Sequence, residues 1–165
     1  GESGGGNLAL ATALKAKKEG KMEAIDGVYA IVPYISGEWG QSREWKLEHY
    51  PSLVENAGYL IDPDGIMAAC YDPERKEAKN PLAWPGQATV EDLKGLPPHV
   101  ITVDELDPLR DEGIAHYRKL TQAGVRTVGK MNLGLIHGAE LILRIAIPDI
   151  CKSMSQDVKR FADSL

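Results

Sequence analysis

Cysteine is almost missing from this 165-residue chain, which holds only Cys70 and Cys151. So few thiols exclude a disulfide framework. The apolar neighbours of both read as those of small core residues, and a reducing compartment, the cytoplasm, is the expectation. No Cys-x-x-Cys or His-x-x-x-His pair occurs, so neither a metal site nor a metal cofactor is expected. No apolar run approaches the roughly 20 residues that cross a bilayer, so no membrane span is expected. Positive charge is never gathered: 19 lysines and arginines lie scattered among 24 acids, for a net charge of -5. That argues against nucleic acid or an anionic membrane as partner. Low-complexity tracts are absent too, and with 43% hydrophobic residues one globular domain is the default.

Glycine, by contrast, is concentrated at the start. Gly1-Glu2-Ser3-Gly4-Gly5 fits G-x-S-x-G, the nucleophile elbow, where a serine occupies a sharp strand-to-helix turn. Glycine at 1, 4, 5 and 6 removes Cβ atoms that such a turn would crowd. A helix is predicted next, with Leu8, Leu10, Ala11 and Leu14 as its apolar positions, Lys15, Lys17 and Lys18 near its negative end, and Gly20 as its stop. Two rival readings concern phosphates. A Walker A loop needs a lysine after the last glycine, and here Asn7-Leu8 follows. Gly4 to Ala9 also reads as G-x-G-x-x-A, but no strand precedes it and no ribose-binding acid is evident, so no nucleotide cofactor is expected.

Along the chain, Ile25 to Ile35 is an apolar, β-branched run that predicts a strand of a parallel sheet. From Gly37 to about Pro97 the pattern loosens, with Trp39, Trp45, Tyr50, Tyr59 and Trp84 spread among prolines and short helices possible over Leu47 to Gly58 and Gly65 to Tyr71. An excursion of this length is either a pocket wall or a plugged connection. His99 to Leu106 predicts a second strand, Asp111 to Ala123 a helix with Ile114, Ala115, Tyr117 and Leu120 inward, and Val125 to Met131 a third strand. A helix starts near Ala139 and is broken at Pro148. Beyond it, Ile150, Cys151, Met154, Val158, Phe161, Ala162 and Leu165 mark an amphipathic helix packed on the sheet. The fold class is α/β, with a mostly parallel sheet and helices on both faces.

In such sheets reactive groups gather at the carboxyl ends of strands. Ser3, Asp107 and His137 each fall in a turn at that end, in the chain order of the Ser-Asp-His triad. In that chemistry His137 takes the proton of Ser3, Asp107 holds the imidazole tautomer, and the Gly4 N–H faces the oxyanion. Asp107, rather than Asp104, Glu105 or Asp111, directly follows the strand and precedes Pro108. Asp111 is better placed to cap the next helix. Each residue also has a plainer reading: Ser3 as an N-cap, Asp107 as a turn initiator, His137 as a loop residue. His49, His99 and His116 have no such context.

Gly1 to Ala9, Asp107-Pro108-Leu109-Arg110-Asp111-Glu112 and His137-Gly138 resemble the C-terminal motifs of the hormone-sensitive-lipase-like carboxylesterases, and Pro51 to Asn56 shares in the likeness. The resemblance implies an α/β-hydrolase acting on small-molecule esters of small or medium acids, with Ser3, Asp107 and His137 as its triad and no cofactor. It also implies that residues 1–165 are the C-terminal portion of a single catalytic domain. The family's His-Gly-Gly-Gly motif, cap and first strands have no counterpart here, so further oxyanion donors are expected upstream of Gly4. A missing N-terminal half or another chain is then expected to complete the sheet. The alternative is a non-catalytic fragment or interaction module.

Overall fold

A computed structural model describes residues 1–62 and 66–165. Its centre is a parallel sheet of β1 (Val28–Ile31), β2 (His99–Asp104) and β3 (Thr127–Asn132), in that spatial order. Val28 pairs with His99, and His99 with Thr127. The crossover from β2 to β3 is built around one helix, Arg110–Gln122, whereas the longer connection from β1 to β2 carries several short ones. On the outer side of β1, Glu2 bridges Ile31 in parallel, so the segment entering the Ser3 turn already follows the sheet.

The helix after Ser3, α1 (Gly4–Lys18), buries Leu10, Ala11, Ala13 and Leu14 and ends before Gly20, whose φ of 68° suits glycine. Leu8 does not join that face and is 59% exposed. One core joins Leu10 and Leu14 of α1, Val28 and Ala30 of β1, Ile101 and Val103 of β2, and Leu120 of α6 (Arg110–Gln122). Burial at this scale, about 25 cal/mol per Å² of apolar surface, is what holds the layers together. The inward side of α6 keeps the expected Leu120, with Ile114 and Tyr117 partly buried against the core, and adds Glu112, Gly113 and His116 as buried residues. Burial pushes the His116 imidazole down to about 3, so it packs as a neutral ring.

Other expectations are corrected. β1 is shorter than the apolar run because Val32 takes a φ of 41°, a left-handed conformation rare for a β-branched residue, and turns the chain out of the strand. Pro51 divides the Leu47 to Gly58 stretch into α2 (Arg43–His49) and α3 (Ser52–Glu55). In the next stretch α4 covers Ile66–Tyr71, while Gly65 lies outside the described residues. A short α5 (Val90–Leu93) carries a capping box of Thr89 and Asp92. The Pro148 break separates α7 (Ala139–Ile142) from α8 (Pro148–Ala162), with the proline at the start of α8. That last helix lies on the face opposite the core, where Phe161 meets Tyr29 edge-on at 5.8 Å, but none of its residues is fully buried. Neither cysteine is a core residue: Cys70 is exposed and Cys151 half-buried, and both are free.

Candidate active site

Ser3 has φ 50° and ψ -117°, a conformation that costs a non-glycine residue on the order of 1–3 kcal/mol. Its backbone is held from two sides. The N–H donates to Ile31 O at 2.9 Å, and the carbonyl accepts from Asn7 N at 3.0 Å and Tyr34 N at 3.2 Å. The bend folds Gly1 onto Gly5, so a Cβ on Gly1 would lie 2.1 Å from the Gly5 oxygen. Gly6 meets Pro33, with 3.0 Å from its would-be Cβ to Pro33 Cβ. Gly4 and Gly5 face open space, so close approach demands glycine only at positions 1 and 6.

Asp107 is fully buried where the chain leaves β2. Its Oδ1 accepts from Leu109 N at 2.8 Å, an Asx turn onto its own backbone that leaves Oδ2 to face across the sheet. His137 sits in the loop after β3. Gly138, with φ 63°, closes that loop, and its N–H donates to Asp104 Oδ2 at 3.0 Å. Asp104 Oδ1 accepts from Asn132 Nδ2 at 2.8 Å, so one buried carboxylate ties both ends of the loop to β2. Burial, outweighing the Asn132 hydrogen bond and aided by Glu140, pushes the Asp104 carboxyl up to about 7.

These turns bring the three side chains into line. His137 Nδ1 lies 2.9 Å from Asp107 Oδ2, and Nε2 lies 2.9 Å from Ser3 Oγ. Burial alone would lower the imidazole pKa. The hydrogen bond and charge of Asp107, with the charges of Glu2 and Asp104, outweigh it and raise it above the ordinary value. Glu2 Oε1 is 3.8 Å from Nε2, on the serine side of the ring. With the Nδ1 proton directed at Asp107, Nε2 is free to accept the serine proton. Beside Ser3 opens a largely apolar cavity of about 260 Å³, with walls that include Leu8, Tyr34, Met67, Tyr71 and Trp84. Part of the excursion is therefore a pocket wall. A larger cleft of about 380 Å³ between the sheet and α8 contains none of the three residues.

A family model described as alpha/beta hydrolase fold matches residues 1–141. The chain belongs to that family. This alpha/beta hydrolase superposes on brefeldin A esterase, a bacterial homologue of human hormone-sensitive lipase, with a TM-score of 0.95 and 51% identity. The match covers 98% of this chain and 45% of that one. It is 31% identical to an arylesterase of Saccharolobus solfataricus over 83% of its own length and 42% of the relative's. The corresponding figures for the esterase LipI of Mycobacterium tuberculosis are 34%, 84% and 41%. The hydrolase chain thus spans less than half the length of these relatives.

Asp111 does not cap its own helix, whose N-cap is Leu109. Its Oδ2 accepts instead from Ser52 N at 2.7 Å, and its Oδ1 from Arg110 Nε at 2.9 Å. Sequence reasoning missed what Asp104, Leu8, Tyr34, Ser52 and Asn56 do around the site. Their partners lie far along the chain, and no local periodicity marks such contacts. No group of three or more His, Cys, Asp or Glu residues among those described is arranged to hold a metal, and no helix among them is long and apolar enough to cross a membrane.

Proposed function

We propose that this chain is the C-terminal portion of a single α/β-hydrolase catalytic domain that hydrolyses carboxylic esters through an acyl-enzyme. The observation that carries the reading is the unbroken Asp107–His137–Ser3 line, with 2.9 Å at both links, ending on a serine at positive φ. Ser3 Oγ attacks the ester carbonyl as His137 Nε2 takes its proton. Asp107 stabilises the resulting imidazolium, and the Gly4 N–H, at the start of α1, donates to the oxyanion. Collapse of the tetrahedral intermediate expels the alcohol, which receives the proton from His137. Water, deprotonated by the same ring, then releases the acid. The relatives named as esterases support this chemistry, and the cavity beside Ser3 suits an apolar acyl or alcohol group of a small-molecule ester. On this reading the remaining strands and oxyanion donors come from residues beyond the Gly1-Glu2 edge or from another chain.

The test is covalent. A fluorophosphonate should label Ser3 alone, and Ser3→Ala should abolish labelling and lower ester turnover by on the order of 10⁶-fold. An adduct on another serine contradicts the assignment.

A further inference from the structure

We infer that Ser52 and Asn56, on the short helix α3, are positioning residues that hold the Asp107 turn at the distance and angle His137 requires. The inference rests on the triad reading above and adds to it a device supplied by the excursion. A turn that leaves a strand has backbone carbonyls without ladder partners, and buried ones need donors from elsewhere. Around Asp107 one set is local, Arg110 N donating to Asp107 O at 3.2 Å and Arg110 Nη1 to Glu105 O at 3.0 Å, and a second set comes from far along the chain. The Asn56 amide donates to Glu105 O and to Asp107 O, both at 3.2 Å. Ser52 Oγ donates to Pro108 O at 2.7 Å and accepts from Asp111 N at 3.1 Å, while Ser52 N donates to Asp111 Oδ2 at 2.7 Å. Ser52 is completely buried, and Asn56 is 6% exposed.

The contacts therefore flank Asp107 on both sides and also grip its own carbonyl. Because Asp107 Oδ1 is bonded to Leu109 N within the same turn, the carboxylate moves with that backbone. A displacement of the turn is passed directly to the link with His137 Nδ1. Misplacement of a reacting group by about 1 Å can cost 10²-fold in rate. The excursion that supplies α3 also supplies Met67, Tyr71 and Trp84 to the cavity beside Ser3. One stretch of chain thus walls the cavity and fixes the acid.

The experiment uses the intact protein with Asn56→Ala and Ser52→Ala, and Ser52→Thr as the variant that keeps the hydroxyl. His137 is followed by NMR, through the downfield Nδ1 proton shared with Asp107 and through the ring's titration. The charged groups facing the ring are Asp107, Glu2 and, beneath the loop, Asp104. In both alanine variants the Nδ1 proton signal should weaken or vanish and the imidazole should titrate at lower pH. kcat should fall by roughly 10- to 100-fold with KM little changed, and Ser52→Thr should restore the signal. A lower melting temperature with an unaltered Nδ1 proton and titration overturns the inference, leaving α3 a structural clip. Should an alanine variant not fold, Asn56→Gln, which moves the amide by one methylene, is read the same way. An unchanged resonance there also overturns it. The NMR signature does not depend on turnover, so a wild-type protein with the signal and no esterase activity would reject the proposed function alone.

Discussion

Asp107 and Asp111 stand four positions apart and answer different needs. Asp107 faces His137, whereas Asp111 caps α3 and pairs with Arg110. Asp107→Asn should lower kcat by on the order of 10⁴-fold, since an amide favours the wrong imidazole tautomer. Asp111→Asn keeps an acceptor for Ser52 N and exchanges a charge-assisted bond for a neutral one, so its loss should be far smaller. Steady-state kinetics on the two variants decide this, and equal losses contradict it. Glu2 offers a second test through pH. His137 must be neutral to accept the serine proton, so a raised imidazole pKa puts the acid limb of kcat/KM at higher pH. The carboxylate of Glu2 at 3.8 Å contributes to that rise, and Glu2→Gln should move the limb to lower pH. A limb that stays put or moves up would show that Glu2 does not act on the ring.

At the scale of elements, α6 rests on β2 through a glycine. A Cβ on Gly113 would lie 2.5 Å from Val103 Cγ1. Two effects of opposite sign compete in Gly113→Ala. Helix propensity favours alanine by about 1 kcal/mol, while overpacking a filled core costs about 1–3 kcal/mol. Val103 is a β-branched, buried residue of the central strand with little rotamer freedom, so the clash should win. Urea unfolding should show Gly113→Ala less stable than the parent, and adding Val103→Ala should recover part of the loss. A variant more stable than the parent would mean that the helix lifts away freely. The same layer matters to the site, because α6 carries Glu112, whose Oε1 accepts from Ile35 N at 2.5 Å. That bond anchors the loop leaving β1, and Tyr34 of the same loop reaches the Ser3 carbonyl. Burial holds the Glu112 carboxyl up to about 7.

For the whole molecule, what matters is how much of a working hydrolase these residues supply. Gly4 is the one oxyanion donor assigned among them, and a single missing donor costs about 10² to 10³-fold in kcat. The Gly1-Glu2 segment pairs with β1 on one side only among the described residues, and Val128 and Met131 of β3 are largely exposed. An open edge recruits other strands. Residues 1–165 expressed alone should therefore hydrolyse a short-chain nitrophenyl ester poorly and show a mass above that of the monomer by light scattering. A monodisperse monomer turning over at about 10 s⁻¹, an ordinary enzyme rate, would require donors elsewhere in the chain.

Strand and helix positions around the site were legible in the sequence because they rest on local signals. β-branched runs, Gly20 and Pro148 act on their own backbone, and G-x-S-x-G with the later Asp-Pro and His-Gly turns marks where side chains leave a sheet. Strand ends were less legible, since the Val32 turn depends on the loop that must cross Gly6 and reach Tyr34. The half-exposed face of α8 and the exposed Leu8 were not legible either, because apolar periodicity says which residues share a face but not what covers it. Only the tertiary structure decided that Ser52 and Asn56 grip the Asp107 turn and that Asp104 carries the Gly138 loop. Those contacts join residues 34 to 56 positions apart. Hydrogen bonds at such separations leave no periodic trace, for they exist only once the sheet has brought the ends of its strands together.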